Sequence, residues 1–187
     1  MSKIALTGNA SGTGTLTIAS PNTNTDRTLT LPDNTGTLLS TGSGGIPVNG
    51  PAFSAYMSAS QSIPNSVYTK IQMNVEVFDT NSNYDNTTYR FTPTVAGYYQ
   101  VTASWFTTVA TSQVVSAIHK NGVILITTVM AASSVGIGPV VSGLVSMNGT
   151  TDYIEYFVRQ SSGAAYSTLA GVPDLYYFQA FLARSAT

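Results

Sequence analysis

The residues weighed for acid–base chemistry are one histidine and eight carboxylates; the sequence contains no cysteine. His119, with a serine and an aspartate, would formally make a Ser-His-Asp set. However, His119-Lys120-Asn121-Gly122 reads as a strand running into a turn, and no G-x-S-x-G nucleophile elbow is present. The expectation is a strand-end histidine with no catalytic part. Glycan cleavage needs two convergent carboxyls. Glu76, Asp79, Asp85, Asp152 and Glu155 fall near loops or strand ends, where acids keep sheet edges soluble. Asp79, Asn81, Asn83 and Asp85 form an oxygen-rich loop that makes calcium a candidate ligand. The spacing lacks the later bidentate Glu of an EF-hand, and an Asn/Asp turn bonding its own backbone accounts for it equally well. No metal ligands and no cofactor are assigned. Tyr56, Tyr84, Tyr89, Tyr153 and Tyr166 have rings that sugars could stack on, although tyrosine is at home in strands generally.

The chain that must position these groups has an unusual balance. Only 8% of its 187 residues are charged, the net charge is −1, and Ser, Thr and Asn together number 61. A soluble domain usually carries about a quarter charged residues, so hydroxyls and amides must wet this surface. Scattered Lys and Arg cannot neutralise a row of phosphates, which excludes nucleic acid as a partner. An apolar content of 43% with 19 aromatics argues against intrinsic disorder. The absence of cysteine excludes a disulfide framework and thiolate metal sites. The opening MSKIALTGNASG does not read as a secretory signal, so synthesis in a cytoplasm is expected. Asn9, Asn86 and Asn148 match the N-glycosylation pattern, a chance event in so Asn- and Thr-rich a chain.

All the aromatics lie from Phe53 onward, and residues 40–51, STGSGGIPVNGP, have linker composition. The sequence therefore divides into an N-terminal segment, 1–45, and a globular part, 46–187. In the first, Thr15-Leu16-Thr17-Ile18, Thr28-Leu29-Thr30-Leu31 and Gly36-Thr37-Leu38-Leu39 alternate as half-buried strands do. Without large side chains this extended, β-rich segment cannot hold itself together, and it should be ordered only against copies of itself or another protein.

In the second part the pattern predicts strands at Phe53–Ser60, Lys70–Phe78, Tyr98–Thr107, Val114–His119, Val123–Met130, Val140–Met147, Tyr153–Arg159 and Tyr176–Ala183. Turn residues such as Asn121-Gly122 and Asn148-Gly149 separate them. No stretch has a helical period with caps, so the fold class is all-β, a sandwich or barrel. Val123–Val145 is 23 residues without a charge, a transmembrane length. Gly136-Ile137-Gly138-Pro139 interrupts it, so two strands around a turn are expected rather than membrane insertion. Alternation along Tyr98–Trp105 puts Tyr99, Val101, Ala103 and Trp105 on one face. Tyr98, Gln100, Thr102 and Ser104 fall on the other. The first set suits the space between two sheets; Phe91, Ile154, Tyr156 and Val158 are further candidates for that core.

Several fragments stand in a telling order: Phe53-Ser54-Ala55-Tyr56, Phe78-Asp79, Asn83-Tyr84-Asp85, Arg90-Phe91-Thr92-Pro93 and Ala96-Gly97-Tyr98-Tyr99. His119-Lys120-Asn121-Gly122, Asp152-Tyr153-Ile154-Glu155-Tyr156, Ser162-Gly163 and Phe178-Gln179-Ala180-Phe181-Leu182 follow. Their order and spacing over residues 51–185 resembles the C1q-like globular head, related in fold to the tumour necrosis factor family. The resemblance implies a ten-stranded jelly-roll β-sandwich assembled as a homotrimer. It further implies that the face carrying Tyr177, Gln179 and Phe181 looks toward the three-fold axis. Gln100, Thr102 and Ser104 join these as trimer-interface candidates.

The chain lacks the collagen stalk and cysteines of secreted members. Its strings GTGTLTI and DRTLTLPDNTGTLLSTGS resemble instead the attachment segments of bacteriophage fibre and appendage proteins. Together these resemblances imply a non-enzymatic virion protein, a short fibre, appendage or capsid decoration. Residues 1–45 would dock to a capsid or tail protein, and the head would adhere to a host-surface glycan or protein. A bacterial surface or spore-coat adhesion module with the same head is the alternative, and a glycan depolymerase the third reading.

Overall fold

A computed structural model describes residues 50–132, 136 and 138–186, together with 11–15, 17 and 22–26. The chain divides into two compact units, Met1–Leu38 and Leu39–Thr187. In the first, the described residues are exposed, and Thr25 donates its backbone N–H to the Thr23 hydroxyl in a local turn. The alternating runs expected there fall almost wholly outside the described residues.

The second unit is a head built from antiparallel strands. In chain order these are β1 (Ala52–Tyr56), β2 (Ser62–Ile63), β3 (Thr69–Lys70), β4 (Val75–Asp79), β5 (Tyr84–Asp85), β6 (Arg90–Phe91) and β7 (Gly97–Ser104). They continue with β8 (Thr111–Lys120), β9 (Val123–Ala132), β10 (Val141–Met147), β11 (Ile154–Gln160), β12 (Tyr166–Ser167) and β13 (Tyr177–Ser185). One sheet has the order β10-β7-β13-β1-β4, and the second has β5-β6-β11-β8-β9 with β3 beside β11; β12 and β2 form a separate pair. No described helix is long and apolar enough to cross a membrane, and the uncharged stretch from Val123 supplies one edge strand of each sheet, β9 and β10.

Two-residue alternation sends every second side chain of each sheet into the space between them. Phe53, Tyr99, Val101, Trp105 and Phe178 enter from the first sheet, and Phe91, Ile118, Ile154, Tyr156 and Val158 from the second. Phe53 sits at the centre. Its ring stacks on Tyr84 at 4.6 Å and on Phe91 at 4.5 Å, and meets Phe178 edge-on at 4.9 Å.

Turn chemistry sets the registers. Asn121 and Gly122 take φ of 53° and 81°, the left-handed pair of a two-residue type I′ hairpin, and this aligns Lys120 with Val123. The single strand expected over Lys70–Phe78 is in fact broken. β3 belongs to the second sheet and β4 to the first, so residues 71–74 must cross between the layers. Ile71 and Met73 are buried in the crossing, and the Met73 N–H bonds the Ile71 carbonyl in a tight turn. Ten strands were expected; the count rises to thirteen among the described residues because two-residue pairs such as β5–β6 and β2–β12 are too short to show a period.

Candidate assembly face

The outer side of the first sheet is assembled from the polar half of each alternating strand. Register places Ala52, Phe181, Gln100 and Leu144 in one row across four strands. Phe78, Ser54, Gln179, Thr102 and Ser142 form the next, and Tyr56, Tyr177 and Ser104 a third. None of these twelve side chains is charged. Hydroxyls and amides knit the middle: Gln100 Nε2 donates to Ser142 Oγ at 2.8 Å, and Thr102 Oγ1 lies 3.1 Å from the same oxygen. Large apolar groups stand out of the rows, with Phe78 at 48% exposure, Phe181 at 52% and Leu144 at 63%. Phe78, Phe181, Ala52, Gln100, Thr102 and Gln179 border a shallow depression of about 170 Å³. Such a surface combines a hydrogen-bonded polar centre with exposed apolar groups and no charge among these rows, which is the character of an interface centre.

The six expected interface residues thus share one face, with one correction. Ser104 is only 7% exposed, being covered within its own chain at the end of β7, and contributes little area. Phe78 and Leu144 stand exposed on the same face and were not among the candidates. Alternation along β10 carries the signal for Leu144, whereas Phe78 becomes legible only once the chain has crossed to the first sheet. The core candidates Phe91, Tyr99, Val101, Trp105, Ile154, Tyr156 and Val158 are all buried.

The second sheet carries the ionisable groups. Glu155 on β11 is sealed, and its Oε1 accepts from Lys70 Nζ at 3.0 Å and Arg90 Nε at 2.9 Å. Burial pushes its carboxyl up, but the hydrogen bonds from Arg90 and Lys70 outweigh this and hold it below the usual range. The Arg90 guanidinium lies 4.1 Å from the centre of the Tyr153 ring, and Lys70 Nζ is 6.0 Å from that of Tyr89. His119, aligned with Glu155 on the neighbouring strand, stacks flat on Phe157 at 3.9 Å with Tyr68 at 6.0 Å. Its Nε2 has no hydrogen-bond partner among the described residues.

That burial lowers the His119 pKa against the opposing field of Glu155. The unfolded chain, with a histidine pKa of about 6.5, then binds the proton first. Stability is therefore full above that pH and declines as pH falls through the lower folded value. The urea midpoint is expected to drop between pH 7 and pH 5, and His119→Phe, which keeps the stack, should flatten that drop. A wild-type midpoint constant across this interval would refute the account. The carboxyls of Glu155, Asp152 and Asp85 are all held below the ordinary range, so they titrate at more acid pH and leave the window clear.

Crystal structures of murine APRIL at pH 5.0 and pH 8.5 superpose with TM-scores of 0.56 and 0.55 at 11% identity. Each match covers 71% of this chain and 98% of the other. The head has the jelly-roll fold of these structures. The globular domain of zebrafish complement 1qA also aligns, at TM-score 0.45 and 18% identity over 73% of this chain and 99% of that one. The sequence matches no family model and no curated protein.

The structure places the remaining candidate residues in turns, in a salt bridge or in the core. Asp79 accepts the backbone N–H groups of Asn81 and Tyr84, and Asp85 accepts both N–H and hydroxyl of Thr87 and Thr88. Asn83 accepts from Thr94 N–H. These oxygens serve turns, and no group of three or more His, Asp or Glu converges among the described residues. Asp152 is likewise engaged, at 2.8 Å from Lys120 Nζ and Asn121 Nδ2. Tyr84 and Tyr166, candidates for stacking on sugars, are buried instead, with their hydroxyls donating to the Met73 and Phe106 carbonyls. Tyr56, Tyr89 and Tyr153 remain partly accessible.

Proposed function

We propose that this protein is a non-enzymatic, homotrimeric structural protein of a bacteriophage particle, a short fibre, appendage or capsid decoration. In this reading residues 1–45 attach it to a capsid or tail protein, and the jelly roll is presented outward for adhesion or decoration. The observation that carries the proposal is the largely uncharged outer face of the first sheet, with Phe78, Phe181 and Leu144 held out of it and Arg184 opposite Tyr98 at its margin.

A second apolar surface favours a closed ring. Edge strand β9 exposes Val123, Ile124, Leu125, Val129 and Met130, and it meets edge strand β10 where Ile126 lies against Gly143. The face and the edge are different surfaces, so joining one to the other is a heterologous contact. Such contacts close into a ring when the rotation permits, and a ring also covers β9, which would otherwise invite edge-to-edge pairing. His119 stacked on Phe157 and aspartates engaged in turns support a binding or structural role over catalysis.

Light scattering on the purified full chain is expected to give three times the 19.6 kDa of one copy. A mass of a single chain at micromolar concentration would overturn the assembly. Imaging of phage particles with antibody against the head tests the location, and label found on bacterial cells but never on particles would overturn it.

A further inference from the structure

On the outer side of the first sheet, where β7 begins and β13 ends, one cation stands apart from the others. Lys70 and Arg90 bond Glu155, Lys120 pairs with Asp152, and Arg159 donates to the Ser66 carbonyl and to Gln113 Oε1. Arg184 has neither a hydrogen bond nor an ion pair among the described residues. The strands on either side of it, β7 and β1, contain no charged residue, and neither does β10 beyond β7. No carboxylate stands across the sheet from this guanidinium.

The backbone of β13 decides where Arg184 points. Phe178, Ala180 and Leu182 turn inward and are buried, so strict alternation would send Arg184 in after them. The register shifts instead between Leu182 and Arg184, which brings Arg184 opposite Tyr98. Such a bulge re-aims a side chain, and here it carries the guanidinium to the outer side, where Arg184 is exposed. Gly97 makes room for it, because a Cβ there would collide with the Arg184 carbonyl oxygen.

Beside this residue lies an open cleft of about 530 Å³, bordered by Tyr98, Leu144, Ala183, Arg184, Ser185 and Ala186. Small-molecule sites have volumes of roughly 300–1,000 Å³, with apolar walls and few polar groups. Tyr98 and Leu144, both exposed, are the apolar wall, and Arg184 is the one charge. That pairing selects the ligand. A planar carboxylate matches the arginine fork, and a single carboxylate leaves no negative charge uncompensated. An apolar body covers Tyr98 and Leu144 and withdraws them from water. We infer that this cleft binds a small amphipathic carboxylate, an alkyl or aryl acid whose carboxylate meets Arg184 and whose chain or ring lies on Tyr98 and Leu144. The inference goes beyond the structural role above and does not rest on it, since the cleft is complete within one chain.

The test titrates full-length protein with phenylbutyrate, followed by calorimetry and by the chemical shifts of the Arg184 side chain. Phenylbutanol, which lacks the charge, and acetate, which lacks the apolar body, run in parallel. Saturable binding of phenylbutyrate is expected, with both controls roughly tenfold weaker or more because each loses one of the two contacts. Equal binding of either control overturns the inference, and so does no binding of phenylbutyrate. Arg184→Gln is expected to weaken binding about tenfold or more and to leave the melting temperature unchanged, because the side chain is exposed and bonds nothing in its own chain. Leu144→Asn is expected to weaken phenylbutyrate while leaving acetate as it was. Binding that survives Arg184→Gln at full strength places the ligand elsewhere and refutes the site. Light scattering on the same samples keeps the two readings apart: a trimer that binds nothing refutes this site alone, and a single chain that binds phenylbutyrate through Arg184 refutes the assembly alone.

Discussion

Replacing Phe181 with aspartate is expected to abolish assembly while leaving the subunit folded. The side chain projects from the outer face of β13 with half of its surface exposed in a single copy, so the jelly roll does not depend on it. Substitutions at such positions usually change chain stability by no more than about 0.5 kcal/mol. In the proposed trimer the same position would be covered by a neighbour. A carboxylate buried there without a partner costs several kcal/mol, roughly 3–5, and symmetry repeats the cost in each copy. The row through Phe181 offers no partner, because Ala52, Gln100 and Leu144 carry no positive charge, and the cation farther along the strand, Arg184, is aligned with Tyr98 rather than with this row. Light scattering should therefore report a single-chain mass with an unchanged strand signature in circular dichroism. A Phe181→Asp protein that remains at three times the chain mass removes Phe181 from the interface.

Truncating Phe53 to alanine is expected to act the other way, unfolding the head itself. Its ring is fully buried between the sheets and in contact with three others, Tyr84, Phe91 and Phe178. A buried Phe→Ala change costs about 3–5 kcal/mol through lost transfer energy and the cavity left behind. The three ring contacts place this site toward the upper end of that range. Domains are stable by only about 5–15 kcal/mol, so the melting temperature should fall by tens of degrees or the protein should fail to accumulate folded. Phe53→Leu, which restores most of the volume, should recover the larger part. A melt for Phe53→Ala within a few degrees of the parent would show that the stack is not the centre of the core.

The opposite outcomes at Phe53 and Phe181 separate what each level of description decides. Side-chain period is a local property of an extended backbone, so the sequence alone placed Tyr99, Val101 and Trp105 inward, and grouped Gln100 and Thr102 with Tyr98. It also placed the hairpin at Asn121-Gly122, because only residues tolerant of positive φ make that turn. The shortage of charge was likewise visible from composition, and with it the need for some surface to be covered.

The tertiary structure decided the rest, because burial depends on which distant segment lies over a face. β8 shows this plainly: Val115 and Ala117 alternate with Val114, Ser116 and Ile118, yet both sets are buried. His119 belongs to the outward set and is still sealed, by Phe157 from the neighbouring strand and Tyr68 from the segment before β3. Tyr84 and Tyr166 have the same side chain as Tyr89 and Tyr153, but long-range packing buries the first pair and leaves the second partly open. Glu155, Lys70 and Arg90 lie 85 and 65 positions apart in the chain. Only the pairing of β3 and β6 with β11 brings two cations onto one oxygen. Spacing along a chain determines which way a side chain points, and folding determines what it meets there.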